Sequence, residues 1–127
     1  MIETTDDRLL GGAVALRQPA KGHRAGTDAV LLAAAAGVKP GQLVMDVGAA
    51  TGAVGLMAAN RMKAADFVFV ERDPELARLC EHNCALNGLA ARVAVADLLD
   101  RQSRAKAGPF LLPEMGGLSG RCRRFPG

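Results

Sequence analysis

Residues 44–56 read VMDVGAATGAVGL, and they hold the densest chemistry in the chain. An acid, Asp46, precedes a turn carrying Gly48, Gly52 and Gly55, with apolar residues on both sides. Glycines at a strand-to-helix turn let the backbone approach a ligand closely, and the helix amides that follow favour electron-rich groups. A dinucleotide fingerprint would be Gly-x-Gly-x-x-Gly with an acid about 20 residues further on. Here the spacing is Gly48-x-x-x-Gly52-x-x-Gly55, and Ala50 and Ala53 stand where that pattern, begun at Gly48, needs glycine. A carboxylate two residues before the first glycine would repel a pyrophosphate and suits a cationic ligand better.

Such a turn needs a sheet beneath it. Three short apolar runs alternate with helical runs: Leu43–Val47, 67–70 and 93–96, separated by helices expected over 53–62 and 74–86. Short apolar strands are expected where both sheet faces are covered, and the alternation implies parallel strands with right-handed crossovers. Pro74 suits a first helical turn, and Asn87-Gly88 is a helix stop with Leu89 placed to fold back. Upstream, RLLGGAVALRQP at 8–19 reads as a hairpin around Gly11-Gly12. Thr27 is expected to cap a following helix, with Asp28 as a negative charge at its positive end. That helix runs through Val30, Leu31 and the alanines until Gly37 and Pro40-Gly41.

The sequence is similar to the class I methyltransferases that use S-adenosyl-L-methionine. VMDVGAATGAVGL resembles their first motif, and FVFVERDPELARLCEHNCALNGL resembles the next part of the same fold. LRQPAKGHRAGTDAVLLAAA narrows the likeness to the small-domain family related to tRNA(Val) adenine-N6 methyltransferases. The resemblance spans residues 8–100. It implies an α/β fold: the N-terminal part of a Rossmann-like sheet, with hairpin, helix, three parallel strands and crossover helices, then an irregular tail.

It also implies roles. Gly48 and Gly52 would wrap the methionine part of the cofactor, and Asp46 would organise the turn amides or meet the ligand's ammonium. Glu71 would accept from the ribose hydroxyls and Asp97 from the adenine amino group. Arg24 and Asp28, like His23, lie in a stretch that approaches cofactor and substrate in relatives, although a solvated loop and a helix-start charge explain them equally well. Arg72 is expected to point outward. Ala50 departs from the family's middle glycine, and its methyl would crowd the closest approach. The implied function is N-methylation of an RNA base, adenine N6-like, or of a protein amide. The alternative is a non-catalytic cofactor-binding remnant or self-associating fragment.

The family's acceptor motif, Asn-Pro-Pro-aromatic after a fourth strand, has no match in these 127 residues. GPF at 108–110 is a chance likeness, so no catalytic residue is assigned. Without a fourth strand, Leu43–Val47 would be a bare apolar edge able to pair with other copies.

Bulk properties agree with two unlike parts. Residues 1–100 carry ten Lys/Arg against twelve Asp/Glu, whereas 101–127 carry six against one, with five Gly and three Pro. The expected division is a partial cofactor-binding domain over 1–100 and an irregular, disordered basic tail over 101–127. A basic tail can engage RNA through phosphate charge. The abrupt change near 106–109 suggests a shortened or frame-shifted copy. Cys80, Cys84 and Cys122 form an odd set of free thiols with no secretory signal before them, which suggests a cytoplasmic protein. Cys80, His82 and Cys84 do not make a metal site, because His82 falls on another helix face and no second ligand cluster exists. Leu76, Leu79, Cys80 and Leu86 are expected to form a core stripe. The most apolar run, 29–37, is about half the length needed to span a bilayer.

Overall fold

A computed structural model describes residues 2–22 and 24–105. His23, Cys122 and the 108–110 stretch therefore lie outside the described residues, as does most of the expected tail. Residues 101–105 are helical.

The chain opens with an antiparallel hairpin, β1 (Thr4–Leu9) and β2 (Val14–Pro19), registered from Thr4 opposite Pro19 to Leu9 opposite Val14. The connection runs through Leu10, Gly11 and Gly12, all with positive φ. The first strand starts four residues earlier than apolar pattern alone suggests, because its acids find partners. Asp6 pairs with Arg17 at 2.7 Å. Asp7 accepts from Thr5, Gln18 and Arg24.

Helix α1 (Thr27–Ala35) follows. Thr27 does not cap it: Gly26 is the N-cap, no side-chain cap bond forms, and Thr27 is already inside the helix with Asp28 in the first turn.

The second sheet has three strands in the order β3 (Leu43–Val47), β4 (Asp66–Glu71), β5 (Arg92–Val95), all parallel. The intervening helices are α2 (Ala53–Arg61) and α3 (Pro74–Leu86). Two right-handed crossovers stepping the same way put both helices on one face of the sheet. The main core lies there, where Phe67 and Phe69 of β4 pack with Leu56, Met57, Cys80 and Cys84, and β2 adds Val14 and Leu16. A smaller cluster of Val68, Val70, Ala94 and Ala96 occupies the other face, with Leu98 against it.

Burial differs along the sheet. In β4, Phe67 through Glu71 are all buried. In β3, Leu43, Met45 and Val47 are 39%, 37% and 56% exposed. The expectation that every strand is covered on both faces fails for β3; among the described residues β3 and β5 each pair on one side only, and Val95 of β5 is likewise exposed.

Helix α3 is bounded by strong local signals. The Asp73 carboxylate accepts from the amides of Glu75 and Leu76, and Pro74 needs no amide partner there. At the other end the Gly88 amide donates to Ala85 O and the Leu89 amide to Cys84 O, a Schellman stop. The buried stripe of α3 is Ala77, Cys80, Asn83 and Cys84; Leu86, expected in it, is 51% exposed.

A carboxylate-lined cleft at the strand ends

The glycine turn leaves β3 and enters α2 over the carboxyl ends of the parallel strands. The amides of Gly48 and Ala49 both donate to Val70 O, at 2.9 and 3.0 Å, which holds the turn against β4. Gly48 has φ +73, and nothing lies within 4 Å of where its Cβ would be, so its open side is free for close approach. Gly52, at φ +88, faces inward instead: a Cβ there would sit 2.9 Å from Cys80 Sγ. A Cβ on Gly55 would collide with the Phe69 ring, reaching Cζ at 2.7 Å. The three glycines thus serve two needs, access at Gly48 and helix-to-sheet packing at Gly52 and Gly55.

Ala50 takes a left-handed conformation, φ +50, which costs an L-residue roughly 1–2 kcal/mol. Its amide donates at 2.7 Å to Glu71 Oε2. Glu71, 7% exposed, accepts with its other oxygen from the Asp73 amide at 3.0 Å. One carboxylate thereby joins the turn, the end of β4 and the start of α3. Each carboxylate oxygen can accept more than one hydrogen bond, so Glu71 keeps acceptor capacity toward a ligand.

Asp46 lies under the turn, its Oδ2 accepting from the Gly55 amide at 3.0 Å. Burial pushes its carboxyl above the usual range, the Gly55 bond pulls it back in part, and the Glu71 charge adds to the rise. Of its two expected roles, organising the turn amides is the one this geometry displays.

A cleft of about 520 Å³ opens beside the turn. Its walls include Gly48, Ala50, Glu71, Arg72, Asp97 and the apolar Val70, Leu76, Ala96 and Leu98. Asp97 is set by its neighbours: its amide donates to Ser103 Oγ and its Oδ1 accepts from the Leu99 amide, both at 2.9 Å. Of the residues expected to bind cofactor, Gly48, Ala50, Glu71 and Asp97 line the cleft. Asp46 and Gly52 support it from beneath. Arg24 and Asp28 are not among its walls. Arg24 is held by the hairpin, donating to Thr5 Oγ1, Pro19 O and Asp7 Oδ2, and Asp28 stays at the start of α1. Arg72, expected to point outward, is exposed but also reaches the cleft rim.

Two asparagines, Asn83 and the helix-stop residue Asn87, also bind β2, which the sequence does not announce. Asn83 is fully buried; its Oδ1 accepts from the Arg17 amide and its Nδ2 donates to Arg17 O and Thr51 O, at 2.8–2.9 Å. Asn87 treats Ala15 likewise, accepting from its amide at 2.9 Å and donating to its carbonyl at 2.7 Å. Asn83 lies in α3 and Asn87, four residues on, is its C-cap, and that spacing was the available signal.

Cys80 and Cys84 are free and buried, and the Cys80 thiol is pushed up by its hydrogen bond with Cys84 and by burial. No group of His, Cys, Asp or Glu among the described residues is arranged to hold a metal ion. No helix among them is long and apolar enough to cross a membrane.

A family model described as methyltransferase small domain matches residues 24–109. Among curated proteins, the tRNA1(Val) (adenine(37)-N6)-methyltransferase of Shewanella sp. (strain W3-18-1) is 39% identical over 72 residues, 57% of this chain and 30% of the relative. The protein of the same name from Porphyromonas gingivalis is 39% identical over 83 residues, covering 61% and 32%. The chain thus spans about a third of the length of the curated relatives it matches. Among solved structures, the Pyrococcus abyssi tRNA (uracil-54, C5)-methyltransferase in complex with S-adenosyl-L-homocysteine aligns with TM-score 0.58 at 19% identity, covering 75% of this chain and 24% of that one. At that identity the likeness shows the fold alone.

Proposed function

Because the chain belongs to the methyltransferase small-domain family, we propose that its cleft is the S-adenosyl-L-methionine site of an enzyme that methylates nitrogen in RNA. The observation that carries this reading is the convergence of Gly48, Ala50, Glu71 and Asp97 on one cleft at the ends of three parallel strands. An open parallel sheet binds its ligands there.

The residues fit the cofactor's chemistry. Glu71 offers remaining lone pairs to a vicinal diol, and its two backbone bonds fix where they point. Asp97, with Oδ1 engaged by Leu99, presents a carboxylate suited to an exocyclic amine. The apolar walls, Val70, Leu76, Ala96 and Leu98, suit the faces of a purine. Gly48 gives the amino-acid end room to lie against backbone. When bound, S-adenosyl-L-methionine supplies an electrophilic methyl on sulfur. The chain's own residues bind and orient, and none is assigned a proton-transfer role.

The names of the curated relatives support a tRNA adenine as acceptor, and the two buried free thiols agree with a cytoplasmic setting. A protein amide as acceptor and a self-associating remnant have less support. The structural motive for self-association is the unpaired edge of β3 with its exposed Leu43, Met45 and Val47. Calorimetric titration with S-adenosyl-L-homocysteine tests the site: the chain should bind it, and Glu71→Ala should bind it at least tenfold more weakly. A folded chain that gives no binding, or binding indifferent to Glu71, refutes the assignment.

A further inference from the structure

The Asn83 side chain ties its own helix to two other parts of the molecule. It leaves the middle of α3, exchanges two hydrogen bonds with the backbone of Arg17 in β2, and donates a third to Thr51 O inside the glycine turn. Its exposure is 0%, so water cannot substitute for any of these partners. Asn87, one turn later, makes the same two-way exchange with Ala15 but spends its remaining donation on Asn83 O, within its own helix. The two amides act toward β2 as a strand edge would, presenting acceptor and donor to every second residue. Only the first also reaches the turn.

We propose that Asn83 is a positioning residue that couples the N-terminal hairpin to the glycine turn, so that hairpin docking sets the turn's geometry and ligand affinity. Thr51 sits between Ala50, whose amide anchors Glu71, and Gly52, which packs on Cys80. Fixing the Thr51 carbonyl fixes the peptide plane between Thr51 and Gly52, and with it the strained segment that forms the cleft wall. A fully satisfied buried amide is costly to disturb, since any partner left unpaired stays out of water. Outside itself, the hairpin packs chiefly against helices α3 and α2. Displacing β2 would therefore pull first on Asn83 and then on the turn. The effect on affinity rests on the cofactor reading above; the mechanical coupling does not.

The test uses amide hydrogen exchange in the ligand-free chain, followed by S-adenosyl-L-homocysteine titration. Asn83→Ala should speed exchange in both 14–19 and 48–56, and Asn87→Ala in 14–19 alone. Asn83→Ala should also weaken ligand binding about fivefold to tenfold, within the usual range of coupling between sites, while Asn87→Ala leaves it unchanged. Should Asn83→Ala not fold, Asn83→Ser carries the same expectation, because one hydroxyl cannot donate to both carbonyls. Unaltered exchange in 48–56 in the Asn83 variant, or equal disturbance of the turn by Asn87→Ala, overturns the proposal. If exchange responds as expected but the unsubstituted chain binds no ligand, the coupling stands and the cofactor reading falls.

Discussion

Strands β3 and β4 are neighbours of similar composition, LVMDV beside DFVFVE, yet they live in different surroundings. From Phe67 to Glu71, β4 is buried between two apolar clusters. β3 is paired on one side and exposes alternate residues, Leu43, Met45 and Val47. The cleft straddles this boundary. Its β4–β5 side is organised by Glu71 and Asp97, each held by backbone bonds. On its β3 side the described residues end at the turn. The contrast teaches that the proposed nucleoside grip needs only one side of the turn: among the described residues its carboxylates come from the covered strands, β4 and the end of β5, and not from exposed β3.

The contrast breaks most visibly through stability. Phe69 is 0% exposed, so Phe69→Ala should cost about 3–5 kcal/mol, whereas Met45→Ala in β3 should cost about 1 kcal/mol or less. Urea denaturation measures both, and equal losses would mean that β3 is covered after all. Next in size, Glu71→Gln should lose about 2 kcal/mol. An amide cannot accept from Ala50 and Asp73 with both of its heavy atoms, so one backbone amide would meet a donor. Ligand affinity should fall with it.

Ala50→Gly should stabilise the free chain by about 1 kcal/mol, because glycine takes a positive φ without penalty. A loss of stability would show that the Ala50 methyl packs productively in the turn.

The smallest effect is a dependence on pH. The folded Asp46 carboxyl holds its proton more tightly than an unfolded one. Its contribution is therefore complete below the ordinary carboxylate pKa and is lost as pH rises through the raised folded value. Asp46→Asn should stabilise the fold at neutral pH, retaining an acceptor for Gly55, with the gain vanishing in acid. Denaturation midpoints at pH 7 and below pH 4 measure this, and a gain that grows in acid would contradict it.

Much of this was legible in the sequence because local signals agreed with the fold. Asp73-Pro74 and Asn87-Gly88-Leu89 bracket α3 by chemistry that needs no tertiary context. The three apolar runs sit where the parallel strands form. The acidic half of β1 was not legible, because Asp6 and Asp7 are poor strand formers until Arg17, Gln18 and Arg24 arrive from elsewhere. Thr27 looked like a cap, yet the helix begins at Thr27 itself, with Gly26 as its N-cap. Gly48, Glu71 and Asp97, singled out through the family resemblance, line the cleft because each ends or follows a parallel strand. Arg24 does not, since its partners lie in the hairpin, 5 to 19 residues earlier in the chain. Asn83 stayed hidden for a related reason: a polar residue on a helix reads as exposed until two other backbones are seen to claim it.

The proposed occupant of the cleft beside Glu71 is a sulfonium nucleoside. Amide NMR shifts followed during titration with S-adenosyl-L-homocysteine test it most directly. The predicted result is a saturable change centred on Gly48, Ala50, Glu71 and Asp97, with Arg24 and Asp28 little altered. Changes centred instead on the groove formed by Ala13, Asn60 and Lys63, about 560 Å³ in volume, or none in a folded chain, would contradict it.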